Sequence, residues 1–274
     1  MTHVVVVSGF AESLINFRGD LICDLKSQGC RVTALAPSAS NEQIKRIEGL
    51  GAEFVSYDVK RNGLSVSSDL ATLSQLKRQF RRLNPDIVLA YTIKPVVWSG
   101  IALSRNRSIR FFPMITGLGF AFHGDSLRRK LLRTLVTSLY RRSLRRAELV
   151  FFQNADNQET FRSRDLLGNK PSIVLPGSGI NLTRFPQRPL NSGPITFLMI
   201  ARLLGEKGVR EYAEAARAVK KSHPEVRFRL VGPTDPSPDA ISEREIAAWK
   251  TQNAIEYVGS LQDVSEELAN CHVY

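Results

Sequence analysis

Two basic residues, Arg202 and Lys207, lie five positions apart in a segment suited to hold a phosphate group. The apolar run 195–200 before them predicts a strand, and the pattern of 209–219 after them predicts a helix. The amino end of a helix adds partial positive charge and free N–H groups to such a loop. Both cations can therefore face one diphosphate. Two solvated loop charges without a ligand would show the same spacing, so the spacing alone leaves both readings open.

A glycine and an arginine near the start of the chain form a second candidate site. Gly9 follows the apolar run 3–7, and a glycine there lets backbone N–H groups approach a phosphate closely. Many strand-to-helix turns use a glycine, so Gly9 alone is a weak signal. Arg18, at the start of the next predicted helix, either contacts an anionic acceptor or is an exposed arginine. No GxGxxG segment occurs, which argues against an enzyme that uses a nicotinamide or a flavin.

The sequence gives little support for metal chemistry. The four histidines show no ligand spacing, and no Asp-x-Asp pair is present to hold a divalent ion on a diphosphate. The three cysteines form no CxxC pair, which fits a reducing cytosol better than a disulfide framework. We therefore expect no metal and no cofactor.

The elements that would position these residues alternate along the chain. Short apolar runs alternate with helical patterns from residue 3 to residue 152, and again from 195 to 274. This alternation predicts an α/β fold with parallel sheets covered on both faces. A segment rich in proline and glycine, 176–194, predicts a linker between a first domain, 1–175, and a second domain, 195–274. The second domain is expected to be truncated, because doubly wound domains usually have five or six strands.

The net charge of +12 over 274 residues indicates an anionic partner. Residues 1–190 hold 28 Lys and Arg against 14 Asp and Glu, whereas residues 191–274 hold 10 against 12. A predicted helix at 127–146 contains eight basic residues and no acid, namely Arg128, Arg129, Lys130, Arg133, Arg141, Arg142, Arg145 and Arg146. Leucines recur along it every four residues. The helix therefore either lies on an anionic membrane surface or packs on the sheet with its arginines solvated.

Three further features of the sequence bear on location. No apolar run is long enough to span a membrane, and the first ten residues lack the basic start of a signal peptide. The same arginines would serve nucleic-acid binding, but the chain has no nucleic-acid-binding motif and no aromatic stacking array. We predict a cytoplasmic protein, peripheral on the inner membrane face, with an anionic inner-leaflet surface as partner and no nucleic acid.

Several ordered segments resemble one enzyme family. The segments are Arg202-Leu203 with Glu206-Lys207-Gly208, Val231-Gly232-Pro233, Val258-Gly259, Leu175-Pro176-Gly177, Asp86-Ile87-Val88 with Lys94-Pro95, and Ile115-Thr116-Gly117. Their order and spacing resemble the retaining GT-B glycosyltransferases related to family four, which have two Rossmann-like domains. The last two segments resemble a subgroup that acts on polyprenyl-diphosphate-linked sugars. The resemblance covers the whole chain.

The resemblance implies roles for individual residues. Arg202 and Lys207 would grip the diphosphate of a nucleotide sugar, such as a UDP-sugar, and assist departure of the phosphate without a metal. The other residues expected at the donor are Gly9, Gly232, Val258 and Gly259, and those expected at the acceptor are Arg18, Lys94 and Thr116. Thr116 stands where many relatives have a histidine. His123, seven residues later, either reaches a sugar as a catalytic residue or is a structural loop residue.

One departure from the family keeps two alternatives open. The family's Glu-x7-Glu element would lie beyond the last predicted strand and is absent from this sequence. A GT-B enzyme resembling UDP-GlcNAc epimerases is one alternative, and a non-catalytic membrane-binding remnant is the other. The reading that the ordered motifs favour is a retaining glycosyltransferase that adds a sugar to a membrane lipid-linked saccharide.

Overall fold

The chain folds into two compact units, Met1–Gly179 and Ile180–Tyr274. A computed structural model describes residues 1–60, 65–118, 127–183, 185–237 and 239–274, with the backbone alone at 127–129. Each unit contains its own parallel sheet. No helix in these ranges is both long enough and apolar enough to cross a bilayer.

The sheet of the first unit has seven strands within the described residues, all parallel. They are β1 His3–Val7, β2 Arg31–Ala36, β3 Ala52–Ser56, β4 Ile87–Tyr91, β5 Arg110–Ile115, β6 Val150–Phe152 and β7 Ser172–Val174. Their order across the sheet is β3-β2-β1-β4-β5-β6-β7. The strand order reverses between β1 and β4. In open α/β sheets, ligands bind beyond the carboxyl ends of the strands at such a reversal.

Helices cover both faces of this sheet. They are α1 Glu12–Ser27, α2 Asn41–Gly49, α3 Val66–Leu83, α4 Ile93–Ala102, α5 Leu127–Leu144 and α6 Ala155–Ser163. Val5 and Val7 belong to the apolar cluster on one face, whereas Val4 and Val6 belong to the cluster on the other. Successive side chains of a strand point to opposite faces, so a continuous run of valines is what a doubly covered sheet requires.

The second unit has three parallel strands in its described part, in the order β10-β9-β8. Its elements are β8 Thr196–Ile200, α7 Val209–Lys220, β9 Arg227–Val231, α8 Glu243–Thr251, β10 Glu256–Gly259 and α9 Ser265–Ala269. Its core includes the buried side chains of Leu203, Phe228 and Trp249. Val273 makes a single parallel bridge to Phe197, where the sequence predicts the first residues of a further strand.

The α/β class with parallel sheets, predicted from the sequence, is confirmed, but some helix limits differ. The helical pattern of the sequence predicts helices that start at Phe17 and Val97. In the structure, α1 begins at Glu12 and α4 at Ile93, five and four residues earlier. α6 and β7 were not predicted. β7 is a three-residue strand at the edge of the sheet, and its apolar residues Ile173 and Val174 are exposed. Such short edge strands leave little apolar pattern in a sequence.

Candidate functional site

The turn after β1 is held in shape by a buried network of hydroxyl groups. The Ser8 hydroxyl donates to the Phe10 carbonyl at 2.8 Å, and the Tyr57 hydroxyl donates to the Ser8 carbonyl at 2.7 Å. A Cβ atom at Gly9 would lie 2.9 Å from Oγ1 of Thr92, which follows β4. Glycine at position 9 therefore lets the turns after two neighbouring strands approach each other at the carboxyl edge of the sheet.

The predicted acceptor residue Lys94 forms an ion pair inside the first unit. Its Nζ atom lies 2.8 Å from Oδ1 of Asp69, and the two side chains are only 14% and 8% exposed. Thr92 lies two residues before Lys94, and its backbone has φ +67° and ψ 161°. This conformation is costly for any residue except glycine. Because Asp69 balances its charge, Lys94 adds little net positive charge to this edge of the sheet.

Arg18 provides the positive charge at this edge. It lies in the second turn of α1, is only 4% exposed, and stacks 4.7 Å above the ring of Tyr91. The alternative of an exposed arginine at a helix start is therefore wrong. Its Nη1 atom donates to the Phe17 carbonyl at 2.6 Å and to the Ser178 hydroxyl at 2.9 Å, and Nη2 contacts Sδ of Met114 at 2.9 Å. Burial lowers the pKa of the Arg18 guanidinium below its ordinary value.

The remaining acceptor residues expected from the sequence are placed only in part. Thr116 directly follows β5 and is half-buried at the same carboxyl edge. His123, the predicted catalytic histidine, lies outside the described residues. The side chains of Arg128 and Arg129 also lie outside the described part of the chain.

The basic helix α5 has two different apolar stripes. Val136, Tyr140 and Leu144 are buried in the core of the first unit. Leu131, which is 75% exposed, and Leu135 lie on the opposite side and face solvent. The helix thus packs on the sheet, as one reading of the sequence expects, and also leaves a second apolar stripe uncovered.

Two of the arginines assigned to the membrane surface are engaged within the first unit. Arg141 donates from Nε to the Asp165 carbonyl at 3.0 Å and from Nη2 to the Arg164 carbonyl at 2.8 Å. Arg146 donates to the carbonyls of three residues, Leu103, Asn106 and Ile109. These carbonyls end or follow helices, where backbone acceptors lack partners within the helix. Arg142 and Arg145 are exposed.

In the second unit, Arg202 is already paired with a carboxylate. It lies just beyond β8, and its Nη1 atom is 3.0 Å from Oδ2 of Asp235, which lies in the turn after β9. The other carboxylate oxygen of Asp235 accepts hydrogen bonds from the Ser237 N–H and hydroxyl. The hydrogen bonds from Ser237 hold the pKa of the Asp235 carboxyl below its usual range, and the ion pair with Arg202 contributes less.

Lys207 ends a single turn of 3-10 helix, Gly205–Lys207, and is exposed. The turn is held by a second carboxylate from the loop after β9, since Oδ2 of Asp239 accepts from the Glu206 N–H at 2.8 Å. Gly208 then adopts φ +76° and leads into α7. The predicted donor loop thus has one exposed cation, one cation paired with an acid, and one N–H group already bonded to an acid.

Two of the three glycines predicted to lie at the donor, Gly232 and Gly259, are adjacent, whereas Gly9 belongs to the first unit. The Gly232 N–H donates to the Gly259 carbonyl at 2.8 Å, and Val258 precedes Gly259 in β10. A Cβ atom at Gly232, where φ is +151°, would lie 1.8 Å from the Ala201 carbonyl oxygen, so only glycine fits there. The turns after β8, β9 and β10 therefore meet at one edge of the second sheet.

Sequence reasoning missed the acids that face the donor loop. Asp235 and Asp239 lie in a sequence segment typical of a loop, and both contact the segment 202–206. Their position directly after the predicted strand that ends at Val231 was the available signal, because turns after neighbouring parallel strands share one edge of the sheet. Within the described ranges, no group of three or more His, Cys, Asp and Glu is arranged to hold a metal ion.

Comparison with known proteins assigns the chain to an enzyme family. The sequence model described as Glycosyl transferase 4-like domain matches residues 17–177. The chain belongs to the glycosyl transferase 4-like family. A second description, Glycosyl transferases group 1, matches residues 182–274, so both units of this glycosyltransferase are covered.

One curated protein and two solved structures are similar to this chain. The glycosyltransferase is 28% identical over 282 residues to N,N'-diacetylbacillosaminyl-diphospho-undecaprenol alpha-1,3-N-acetylgalactosaminyltransferase of Campylobacter jejuni, over 98% of this chain and 72% of the relative. Sucrose-phosphate synthase from Thermosynechococcus elongatus aligns with a TM-score of 0.71 and 14% identity, over 98% of this chain and 72% of that one. UDP-GlcNAc 2-epimerase from Neisseria meningitidis aligns with a TM-score of 0.62 and 12% identity, over 98% and 75%.

At these identities, the two solved structures support the fold alone. The GT-B fold expected from the motifs is confirmed. Because a synthase and an epimerase share this fold, it does not separate the transferase from the epimerase alternative. The two matching family models both describe glycosyl transferases, so the chain is a glycosyltransferase and not an epimerase.

Proposed function

We propose that this glycosyltransferase moves a sugar from a UDP-sugar to a saccharide carried on a polyprenyl diphosphate, with retention of anomeric configuration. The observation that supports a UDP-sugar as donor is the loop after β8. There, Arg202, Lys207 and the N–H groups of a helical turn precede α7. The Campylobacter relative, whose name describes a diphospho-undecaprenol-linked substrate, supports the acceptor half.

In the proposed reaction, the bond between the anomeric carbon and the donor phosphate oxygen breaks while the acceptor hydroxyl bonds to that carbon. Negative charge develops on the leaving phosphate oxygen. Arg202 and Lys207 stabilise this charge, since fixed cations act most strongly where charge appears in the transition state. The leaving phosphate takes the proton of the acceptor hydroxyl on the same face of the sugar, which retains the configuration. No metal and no cofactor enters this scheme.

The acceptor is proposed to bind at the carboxyl edge of the first sheet. Thr116 lies at that edge, and Arg18 supplies a positive charge that no acid among the described residues balances. Gly9 follows β1 at the same edge and stays a proposed donor residue. Lys94 would act mainly by holding Asp69 and the start of α4, because its own charge is paired. His123 stays a proposed catalytic residue.

The helix α5 is proposed to hold the enzyme against an anionic inner-leaflet surface. Leu131 and Leu135 form an exposed stripe, and Arg142 lies seven residues after Leu135 on the same helical face. An exposed apolar stripe beside cations is the pattern of helices that lie in a membrane interface. Such placement would bring the active site to a lipid-linked acceptor.

A transfer assay with purified protein tests the proposal. A panel of UDP-sugars is offered with and without a short-chain polyprenyl-diphosphate-linked saccharide, and products are analysed by mass spectrometry and NMR. We expect sugar transfer that needs both substrates, persists in EDTA and retains the anomeric configuration. Arg202→Gln and Lys207→Gln should each abolish most transfer. Arg227→Gln should not, because Arg227 begins β9 at the edge of the sheet opposite to the donor loop. Epimerisation of UDP-GlcNAc without acceptor, or consumption of no UDP-sugar, would overturn the proposal.

A further inference from the structure

The guanidinium of Arg18 is a buried positive charge without an acidic partner. Its neighbours in the described residues are two neutral oxygens, a thioether sulfur and an aromatic ring. Its Nε atom is buried and has no hydrogen-bond partner in the described part of the chain. Sulfur is a weak acceptor, so part of the hydrogen-bonding capacity of this guanidinium is unused. A buried cation in this state destabilises the fold unless an anion completes its surroundings.

Two further polar groups surround the outer side of Arg18. Ser178, in the exposed turn after β7, accepts from Arg18 Nη1 at 2.9 Å and from Gln153 Nε2 at 2.9 Å. Because both bonds use the lone pairs of this hydroxyl, its own proton is left to donate. Gln153 directly follows β6 and is half-buried. Three donors, from α1, from the residue after β6 and from the turn after β7, therefore converge at the carboxyl edge of the sheet.

We infer that Arg18, Ser178 and Gln153 form an anion-binding site of the first unit, and that its ligand is a phosphate group of the polyprenyl-diphosphate acceptor. The inference rests on the proposed function for the identity of the acceptor. Tetrahedral oxyanions match this donor set, since a guanidinium presents paired N–H groups and hydroxyl and amide donors satisfy the remaining oxygens. Ser178 lies in an exposed turn, so an anion can displace its oxygen from Nη1 without opening the core.

The acceptor and the donor both contain a diphosphate that could supply the bound phosphate group. Binding measurements distinguish between these two substrates. Titration calorimetry at fixed ionic strength uses farnesyl diphosphate as the acceptor probe, UDP as the donor probe and farnesol as the lipid without phosphate. The variant is Arg18→Gln. The matched control is Arg107→Gln, which removes the same charge from an exposed turn before β5, at the opposite edge of the sheet.

We expect Arg18→Gln to weaken farnesyl diphosphate binding by about 10- to 100-fold, as loss of hydrogen bonds to a charged group requires. UDP affinity and any farnesol binding should not change, and Arg107→Gln should resemble the unmodified protein. Ser178→Ala, in an exposed turn where loss of folding is not at issue, should weaken farnesyl diphosphate binding by about 2- to 10-fold.

Several results would overturn the inference. Unchanged farnesyl diphosphate binding in a folded Arg18→Gln protein would leave Arg18 as an anchor for the turn 175–179. Reduced UDP affinity with unchanged farnesyl diphosphate affinity would assign the site to the donor. If Arg18→Gln does not fold, unchanged binding in Ser178→Ala contradicts the inference. Failure of the unmodified protein to bind UDP would contradict the proposed function while leaving the farnesyl diphosphate comparison intact.

Discussion

Arg202 Nη1 lies 3.0 Å from Asp235 Oδ2, so the cation proposed to bind the donor diphosphate is held by a carboxylate of its own unit. Ser237 holds the other oxygen of that carboxylate, and together these contacts lower the pKa of Asp235. Asp235 is therefore ionised at neutral pH. A donor diphosphate must compete with it for Arg202.

Asp235→Asn should tighten UDP binding, because the competing negative charge is removed while the side-chain shape is kept. The pair is partly exposed, so we expect a modest gain of about 2- to 5-fold, larger at low salt. Titration calorimetry with UDP measures it. Glu214→Gln, an exposed position on α7, is the control for the change in net charge. Weaker binding in Asp235→Asn would mean that the acid orients Arg202 for the donor.

The pair between Arg210 and Glu245 makes the stability of the second unit depend on pH. Arg210 Nε lies 2.6 Å from Glu245 Oε1, and Glu245 also accepts from Ser242 at the start of α8. The hydrogen bond from Arg210 contributes most, and together these bonds lower the pKa of Glu245 from 4.5 to about 2. The carboxylate therefore stabilises the fold above about pH 4.5, and this contribution is lost as pH falls towards 2.

Glu245→Gln should thus lower the free energy of unfolding at pH 7 by about 1 kcal/mol or less, since the pair is partly exposed. The difference from the unmodified protein should shrink between pH 4.5 and 2. Urea unfolding followed by fluorescence of the buried Trp249, in a Trp98→Phe background, reports on this unit. A difference that is constant over this pH range would contradict the assignment.

Gly232→Ala should disrupt the donor edge of the second sheet. The added Cβ would meet the Ala201 carbonyl oxygen at 1.8 Å, and a backbone atom cannot move aside as a side chain does. We expect destabilisation of more than about 3 kcal/mol and loss of UDP binding. Gly259→Ala is the matched variant, since φ there is +99° but no atom lies within 4 Å of the added Cβ. Its destabilisation should be only about 1–3 kcal/mol, from backbone strain. Equal effects in the two variants would rule out the steric explanation.

The proposed membrane surface of α5 predicts a division among its arginines. Arg142→Gln with Arg145→Gln should weaken co-sedimentation with phosphatidylglycerol vesicles by roughly 10- to 30-fold, at about 1 kcal/mol for each charge. Replacement of the exposed Arg105 and Arg107 by Gln changes the net charge equally and should have a smaller effect. Equal losses in both double variants would make the attraction a property of net charge and not of α5.

Arg146 should matter for folding and not for membrane contact. Its guanidinium donates to three backbone carbonyls that follow α4, and Arg146→Gln leaves these acceptors without a charged donor. We expect a loss of about 2–3 kcal/mol in the stability of the first unit and little change in vesicle binding. Thermal unfolding of Arg146→Gln beside Arg145→Gln tests this, because the neighbour is exposed. A stable Arg146→Gln protein with reduced vesicle binding would contradict the prediction.

The sequence by itself determined the class of fold and the order of its strands and helices except α6 and β7. Runs such as His3–Val7 are apolar at every position because both faces of the sheet are covered, and that requirement is local enough to read directly. The glycines at positions 9 and 232 and the loop from Arg202 to Lys207 were also identifiable, because turns after strands follow local rules.

Only the tertiary structure decided which charges are balanced. Lys94 meets Asp69 across 25 residues, Arg202 meets Asp235 across 33, and Arg18 meets no acid among the described residues. The sequence pattern treats these three cations alike, because periodicity records burial and not partners. The pairing depends on which turns the parallel sheet brings to one edge, and that arrangement leaves Arg18 buried without a counter-ion from the residues that the structure describes.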